Sequence, residues 1–421
     1  MLSEVPDYNF VFLTPETATS SDIVDVLSKM KLNSTLTYIV IDECHCIDMW
    51  GLDFRPAYAN LGIFASLNCQ VIALTATCTP RTEEIILSSL NLTSVITIRQ
   101  TCDRPNISII VKPKKGDGKE QATNMIVNEH KDQCGIVYCT ERATTQDMTY
   151  CLQTKGVNAT YFHGALDPYK KEENFDAWYN GRALVMCATV AFGMGIDEAN
   201  VHFIIHLSIP QSIECYAQEF GRAGRDGEDA ISCLFFRFED RTKQLKMISS
   251  LPDGEHRSFK IQNLNEMVKF CIMPRCRRIQ LVKYFGEGTR EACESKCDFC
   301  LGGARVDHQD GKDDALHVLS CLENMQQLHP KVTLQHLTLT YRGSKRKEVL
   351  AKAYNTVPEF GKGKDTFSDA SLKQFIQLLI SEGVIVECLR DAKDISTTPY
   401  LISGKKEDLI RKGELPICKY K

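Results

Sequence analysis

The sequence Leu36-Thr37-Tyr38-Ile39-Val40-Ile41-Asp42-Glu43-Cys44-His45 changes abruptly from an apolar, β-branched run to two carboxylates. A short run of this kind predicts a strand buried on both faces, as in a parallel sheet. In α/β sheets, ligands bind outside the carboxyl ends of the strands. Asp42 and Glu43 are therefore candidates for a site at the sheet edge, although an Asp-Glu pair after a strand also commonly starts a capped helix.

Short apolar runs recur along the chain and alternate with helical stretches, which predicts a doubly wound α/β fold. Predicted strands lie at 9–13, 36–41, 71–74 and 95–98, with helices at 21–30 and 81–90 between them. A polar loop at 112–119 precedes a second cycle with strands at 134–139, 159–162, 183–188, 201–206 and 230–235. The remainder is predicted to be helical from 238 to 301 and again at 313–328, 333–341 and 369–382. It ends in a hairpin at 384–389 and 400–402.

Composition excludes several protein classes. With 43% hydrophobic and 25% charged residues, the chain is neither disordered nor collagen-like, and no run of about 18 apolar residues predicts a membrane span. The N-terminal residues lack the basic region of a secretory signal, so we expect the 19 cysteines to be thiols or metal ligands. Residues 1–240 carry a charge of −12 and residues 241–421 carry +8, which indicates either a basic binding surface or solvated helix faces.

Four cysteines follow a metal-ligand spacing. Cys276, Cys293, Cys297 and Cys300 form the pattern C-x16-C-x3-C-x2-C, and four thiolates suit a closed tetrahedral Zn²⁺ site. The final C-x-x-C alone could be a redox pair, but no thioredoxin-like strand and helix surround it. We therefore predict a structural zinc site.

Four further segments occur in a fixed order: Cys46-Ile47-Asp48-Met49-Trp50-Gly51, Ala73-Leu74-Thr75-Ala76-Thr77, Ala188–Asp197 (ATVAFGMGID) and Gln218–Gly227 (QEFGRAGRDG). Together with Asp42-Glu43-Cys44-His45, they closely resemble the RecQ family of ATP-dependent DNA helicases. The resemblance implies tandem RecA-like lobes, the first of them partial, then a zinc-binding subdomain and a winged-helix domain. The boundaries it implies are 1–107, 108–238, 239–304 and 305–421.

The resemblance assigns nucleotide-site roles to matching positions. Asp42 would hold Mg²⁺, Glu43 would activate the water that attacks ATP, and His45 would couple hydrolysis to lobe movement. Arg222 and Arg225 lie three residues apart and would share a helix face, one of them acting as an arginine finger; without this context they would be a solvated face. The other positions implied to bind nucleotide are Thr75, Thr77, Gly193, Gly195, Asp197 and Gln218.

DNA contacts are expected in two regions. Trp50, Phe54 and Arg55 match an aromatic-rich loop whose residue types suit single-stranded DNA, although a Trp and a Phe can equally pack in a core. The basic run containing Lys345, Arg346 and Lys347 suits phosphate contacts, or is a solvated charge run. Tyr400 would stack on a base near the end of the hairpin, or pack within it.

The sequence contains no Gly-x-x-x-x-Gly-Lys-Ser/Thr loop to hold the nucleotide phosphates. We therefore expect the chain to begin partway through its first lobe and to be inactive as an ATPase by itself. The resemblance implies a 3′–5′ helicase of DNA repair and recombination, acting in the nucleus on single strands and duplex junctions with ATP, Mg²⁺ and Zn²⁺. The alternative is a catalytically inactive zinc and winged-helix DNA-binding protein.

Overall fold

A computed structural model describes residues 8–49, 56–67, 69–193, 198, 200–288, 290–303, 308–389 and 399–420. The predicted site residues Trp50, Phe54, Arg55, Gly195 and Asp197 lie outside these ranges. The chain divides into two compact units: Met1–Arg104 with Ile279–Glu291, and Pro105–Arg278 with Ala292–Lys421.

The first unit is built on two parallel strands, β1 and β2, paired from Tyr38 with Gln70 to Ile41 with Ala73. Helices and a 3₁₀ segment pack on this pair, and Ile41, Phe64 and Ile86 are among the buried side chains of its core. The elements in chain order are α1 (Pro15–Ala18), α2 (Ser21–Leu32), β1 (Tyr38–Ile41), α3 (Cys46–Met49), the 3₁₀ segment (Pro56–Leu67), β2 (Gln70–Ala73) and α4 (Pro80–Ser89).

The strands predicted at 9–13 and 95–98 do not form. Both segments are described, and neither pairs with β1 or β2. Their apolar side chains are exposed instead, Phe12 to 94% and Ile96 to 90%. A strand exists only through its hydrogen-bonded neighbour, and no described segment supplies one here. An apolar, β-branched pattern is therefore not sufficient to predict a strand in these two segments.

The second unit contains a six-stranded, all-parallel sheet in the order β3-β8-β7-β4-β6-β5. The central strands β4, β6 and β7 are buried along their whole length, because helices cover both faces. The sequence did not predict β3, whose last two residues fall in the expected 112–119 loop. The elements are β3 (Ile107–Pro113), α5 (Lys119–Glu129), β4 (Gly135–Tyr138), α6 (Arg142–Thr154), β5 (Ala159–Phe162), α7 (Pro168–Tyr179), β6 (Val185–Ala188), β7 (Phe203–His206), α8 (Ile213–Phe220) and β8 (Ala230–Phe236).

Helices and short strand pairs follow this sheet. The predicted hairpin forms, with β10 antiparallel to β11, whereas the antiparallel pair of β9 and β12 was not predicted. The elements are α9 (Glu239–Ser249), α10 (Glu255–Ile272), α11 (Arg277–Tyr284), α12 (Asp298–Leu301), β9 (His308–Asp310), α13 (Lys312–Leu328), α14 (Leu334–Tyr341), α15 (Lys347–Leu350), a 3₁₀ turn (Tyr354–Thr356), α16 (Asp369–Ser381), β10 (Ile385–Cys388), β11 (Tyr400–Ser403), α17 (Glu407–Arg411) and β12 (Cys418–Tyr420). Among the described residues, no helix has the length and apolar character needed to span a bilayer.

Candidate nucleotide, metal and DNA sites

The parallel pairing of β1 and β2 brings two predicted nucleotide-site segments together. Beyond the strands, the Leu74 amide donates to the Ile41 carbonyl at 2.8 Å, and the Cys44 amide donates to the Leu74 carbonyl at 2.9 Å. The ladder therefore continues past both strand ends. It places the residues after β1 against the residues after β2, as expected for adjacent parallel strands.

His45 joins these two segments. Its Nδ1 lies 2.9 Å from Thr75 Oγ1 and 3.2 Å from a carboxylate oxygen of Glu43. Thr75 Oγ1 donates to the Thr77 carbonyl at 2.9 Å, so it must accept from His45, which places the proton on Nδ1. A buried imidazole thus links the acid to the segment after the neighbouring strand.

Burial keeps this imidazole neutral. The His45 side chain is 5% exposed, and desolvation lowers its pKa to about 4, against a smaller opposing effect of the Asp42 charge. Glu43, in contrast, has a side chain 48% exposed, and its backbone adopts a left-handed φ of 49°. Such a conformation costs a non-glycine residue of order 1 kcal/mol and is found most often at functional sites.

Asp42 is exposed and suited to a cation. One of its oxygens accepts the Glu43 amide at 2.8 Å, and the other has no partner among the described residues. Carboxylate oxygens are the ligands that Mg²⁺ prefers, and Mg²⁺ is usually held by one or two carboxylates together with substrate phosphates. The donor set therefore fits the predicted ion.

Arg222 lies at the carboxyl end of the six-stranded sheet in the second unit. Its guanidinium packs on Gly193, where an added Cβ would lie 3.1 Å from Arg222 Nη2. Burial raises the pKa of Tyr138, and the nearby charge of Arg222 opposes that rise. The Nε atom of Arg222 is buried and has no partner among the described residues. The half-buried guanidinium therefore lies at a sheet edge of the kind that binds ligands.

The expected shared helix face of Arg222 and Arg225 is wrong. Helix α8 contains Gln218 but ends at Phe220, and both arginines lie in the turns that follow. Gly224 has a φ of +56°, and a Cβ there would lie 2.4 Å from the Asn106 amide nitrogen. The close approach of that side chain and the left-handed φ require glycine in the turn after the helix. Arg222 is half-buried, whereas Arg225 is exposed.

The four predicted zinc ligands converge. The sulfur atoms of Cys276, Cys293, Cys297 and Cys300 all lie within 4.8 Å of one another. A tetrahedral Zn²⁺ with Zn–S bonds of about 2.3 Å requires sulfurs about 3.8 Å apart, which this cluster approaches. Cys297 is fully buried, and its backbone bridges to Ile109 on β3.

The thiols also show why a cation is needed. The pKa of Cys297 is raised, first by its hydrogen bond to Cys276 and then by burial, and burial raises the pKa of Cys300 to about 11. Cys297 and Cys300 therefore keep their protons at neutral pH unless a positive charge stabilises their thiolates. A divalent ion supplies that charge, so the cluster fits zinc.

Two of the three arginines beside Cys276 do not form a basic surface. Arg277 forks onto Asp298 at 3.0 and 2.8 Å and also donates to the Phe270 and Met273 carbonyls. Arg278 is buried and donates to the carbonyls of Pro105 and Ile107 on the sheet side. These cations fasten the cysteine loops to α10 and β3, and only Arg275 is exposed.

Lys345, Arg346 and Lys347 are all exposed, without an ion pair among the described residues. A second loop lies directly against theirs, because Gly361 donates to the Thr340 carbonyl at 3.1 Å and a Cβ on Gly343 would lie 2.9 Å from Gly361 Cα. This loop adds the exposed cations Lys362 and Lys364, which the sequence analysis missed. The Gly-Lys-Gly-Lys repeat at 361–364 was the available signal. We call these five cations the basic patch.

Arg342 and Tyr400 do not belong to the basic patch. Arg342 is bound to Asp369 at 3.0 Å and to backbone carbonyls, so it holds the two loops together. Tyr400 is half-buried and pairs with Cys388 in the hairpin ladder, and residues 390–398 lie outside the described ranges. Its proposed contact with a base stays a prediction.

The sequence of the chain matches models and members of a known protein family. The DEAD/DEAH box helicase model matches residues 2–85, the helicase conserved C-terminal domain matches 118–227, the RecQ zinc-binding model matches 238–301 and the RQC domain matches 305–418. An ATP-dependent DNA helicase RecQ of Bacillus subtilis is 32% identical over 415 residues, covering 98% of this chain and 67% of that protein. The chain belongs to the RecQ family of helicases.

Other relatives are much longer than the chain. The ATP-dependent DNA helicase hus2/rqh1 of Schizosaccharomyces pombe is 32% identical over 403 residues, and this RecQ-family chain spans only 30% of its length. Among solved structures, Saccharomyces cerevisiae Dbp5 bound to RNA and ADP BeF3 matches at 16% identity and a TM-score of 0.44. That match covers 67% of this chain and 65% of Dbp5.

Proposed function

We propose that this chain contains first-lobe, second-lobe, zinc-subdomain and winged-helix segments of an ATP-dependent 3′–5′ DNA helicase. The observation that carries the proposal is the link from Glu43 through His45 to Thr75, because it connects an acid at the sheet edge to a second segment of the same edge. Family membership supports the helicase assignment, and the polarity is that expected for the family. The proposed helicase would act in DNA repair and recombination.

In this proposal, Asp42 holds Mg²⁺ and Glu43 orients the water that attacks the terminal phosphate. The exposed Glu43 side chain can reach solvent, and the neutral His45 proton on Nδ1 is shared between Glu43 and Thr75. A change in the position of Thr75 would therefore alter the hydrogen bonding of the acid. One of Arg222 and Arg225 would supply the arginine finger.

Zinc holds the subdomain together and supplies no chemistry, because four protein ligands close its coordination shell. DNA is bound through the basic patch, which lies in the segment matched by the RQC domain. Because the proposed substrate is duplex DNA, we place the activity in the nucleus. A tagged chain excluded from nuclei would contradict that placement.

The decisive experiment is DNA-stimulated ATP hydrolysis by the purified 421-residue chain. We expect DNA binding but background turnover, since the sequence contains no Gly-x-x-x-x-Gly-Lys-Ser/Thr loop. Turnover that is abolished by Glu43→Gln would refute the expected inactivity and place the phosphate-binding groups elsewhere in this chain. The alternative function, a DNA-binding protein without catalysis, predicts that joining a phosphate-binding segment to the chain restores no turnover. The helicase proposal predicts that it does.

A further inference from the structure

Helix α9 carries two adjacent buried residues of opposite charge, each of which forms an ion pair with a different element. Asp240 is fully buried, and both its oxygens accept from Lys114 Nζ, at 3.0 and 3.1 Å, next to the end of β3. Arg241 is 2% exposed and pairs with Glu387 on β10 of the hairpin. One helix therefore contacts the sheet of the second lobe through one charge and the winged-helix hairpin through the next.

The surroundings of Arg241 fix its position. Its Nε and Nη2 donate to the Asn265 side-chain oxygen on α10 at 3.2 and 2.9 Å, and its guanidinium lies 5.8 Å from the centre of the Phe238 ring. Burial lowers the pKa of Arg241 to about 10, so the group is still charged at neutral pH. The planar fork holds Glu387 and Asn265 in one fixed geometry, which the flexible ammonium of a lysine does not reproduce.

Glu387 occupies a position that an ordinary hairpin strand would fill with an apolar residue. Along β10, Ile385 and Glu387 face inward, whereas Val386 is 40% exposed. A carboxylate buried without a partner is strongly destabilising, and a buried ion pair gives little net stability over apolar packing. The pair is better suited to specifying one arrangement of two surfaces than to adding stability.

We propose that the Arg241–Glu387 pair fixes the winged-helix hairpin to α9, so that the winged-helix domain moves as one body with the second lobe. Two further contacts act in the same sense: Gln374 on α16 donates to the Ile272 carbonyl at 2.7 Å, and Lys269 pairs with Glu382 at 3.0 Å. The inference rests on the proposed function, because a fixed domain would carry DNA bound at the basic patch along with each movement of the lobe. Arg241 and Glu387 are thus positioning residues.

The test measures a distance in the intact chain without DNA. Spin-labelled unnatural amino acids are placed at Tyr150 on α6 and at Lys405 after β11, both exposed, because the 19 cysteines preclude thiol labelling. We expect one narrow distance distribution in the otherwise unchanged protein. In Glu387→Gln it should broaden about twofold or more, because the uncharged amide leaves the buried charge of Arg241 without an opposite charge. The matched control is Asp253→Asn, the same type of change at a carboxylate 93% exposed, which should leave the distribution narrow.

Arg241→Lys is a second variant in case Glu387→Gln does not fold, with zinc content and circular dichroism reporting folding. It keeps the charge but replaces the rigid planar fork with one ammonium group on a flexible stem, so it should also broaden the distribution. A distribution that stays narrow in every folded variant would overturn the inference. Duplex DNA affinity should change by less than about twofold in Glu387→Gln, because the basic patch is untouched. Absence of duplex binding by the unchanged chain would count against the proposed function alone.

Discussion

The basic patch makes a quantitative prediction about DNA binding. Its members Lys345, Arg346, Lys347, Lys362 and Lys364 are exposed and without ion pairs among the described residues, so each is available to a phosphate. Each phosphate that a protein neutralises on duplex DNA contributes about −0.9 to the slope of log affinity against log salt concentration. Five contacts give a slope of about −4.5, a loss of about 500-fold in affinity between 50 and 200 mM salt.

Replacing Lys345, Arg346 and Lys347 with Gln leaves two cations in the patch. The expected slope falls to about −1.8, so the same change in salt weakens binding only about 12-fold. The assay is fluorescence anisotropy with a labelled duplex over a salt series. The control changes Lys405, Lys406 and Lys412 to Gln, which removes the same charge from exposed positions outside the two loops.

An unchanged slope in the patch variant would show that Lys345, Arg346 and Lys347 do not contact phosphates. A slope that falls equally in the control would show that net charge, and not the patch, controls affinity. If the reasoning holds, the further change of Lys362 and Lys364 to Gln should remove most of the remaining salt dependence.

Three further predictions concern the zinc cluster and His45. Metal analysis of protein purified without chelator should find about one zinc ion per chain, and Cys297→Ser should lose it; a metal-free native protein would contradict the assignment. Arg277→Lys keeps the charge but loses the paired hydrogen bonds to Asp298, so chelator competition should show that zinc is bound about 10- to 100-fold more weakly. An unchanged zinc affinity would show that Arg277 does not position the ligands. Since the pKa of His45 falls from 6.5 to about 4 on folding, the unfolded chain alone gains this proton as pH drops below 6.5. The free energy of unfolding should then decline by about 3 kcal/mol in total by pH 4, in urea titrations compared with His45→Gln. The exposed His317 provides the control variant His317→Gln, which should keep the full decline.

Elements with local signals were predictable. Helix α4 begins after Thr79, whose side chain accepts from the Thr82 amide, with Pro80 at its first position, and the pattern placed it within one residue. The spacing of Cys293, Cys297 and Cys300 predicted that these thiols lie together, because C-x3-C-x2-C is a local pattern. Cys276 joins them only because the chain returns past α11. The strands at 9–13 and 95–98 failed because a strand depends on a neighbour that the segment's own sequence does not contain.

The sequence alone determined the order of motifs and therefore the family, the α/β character of the second lobe and the identity of the four thiol ligands. Tertiary structure decided which cationic side chains are exposed and therefore available to bind a phosphate. Arg277, Arg278 and Arg342 belong to the basic second part of the sequence, but the fold pairs them with carboxylates and backbone carbonyls. Lys362 and Lys364 became partners of Lys345 only because two loops meet at Gly343 and Gly361. Charge is a property of a residue, whereas its availability depends on burial and pairing, which distant segments supply.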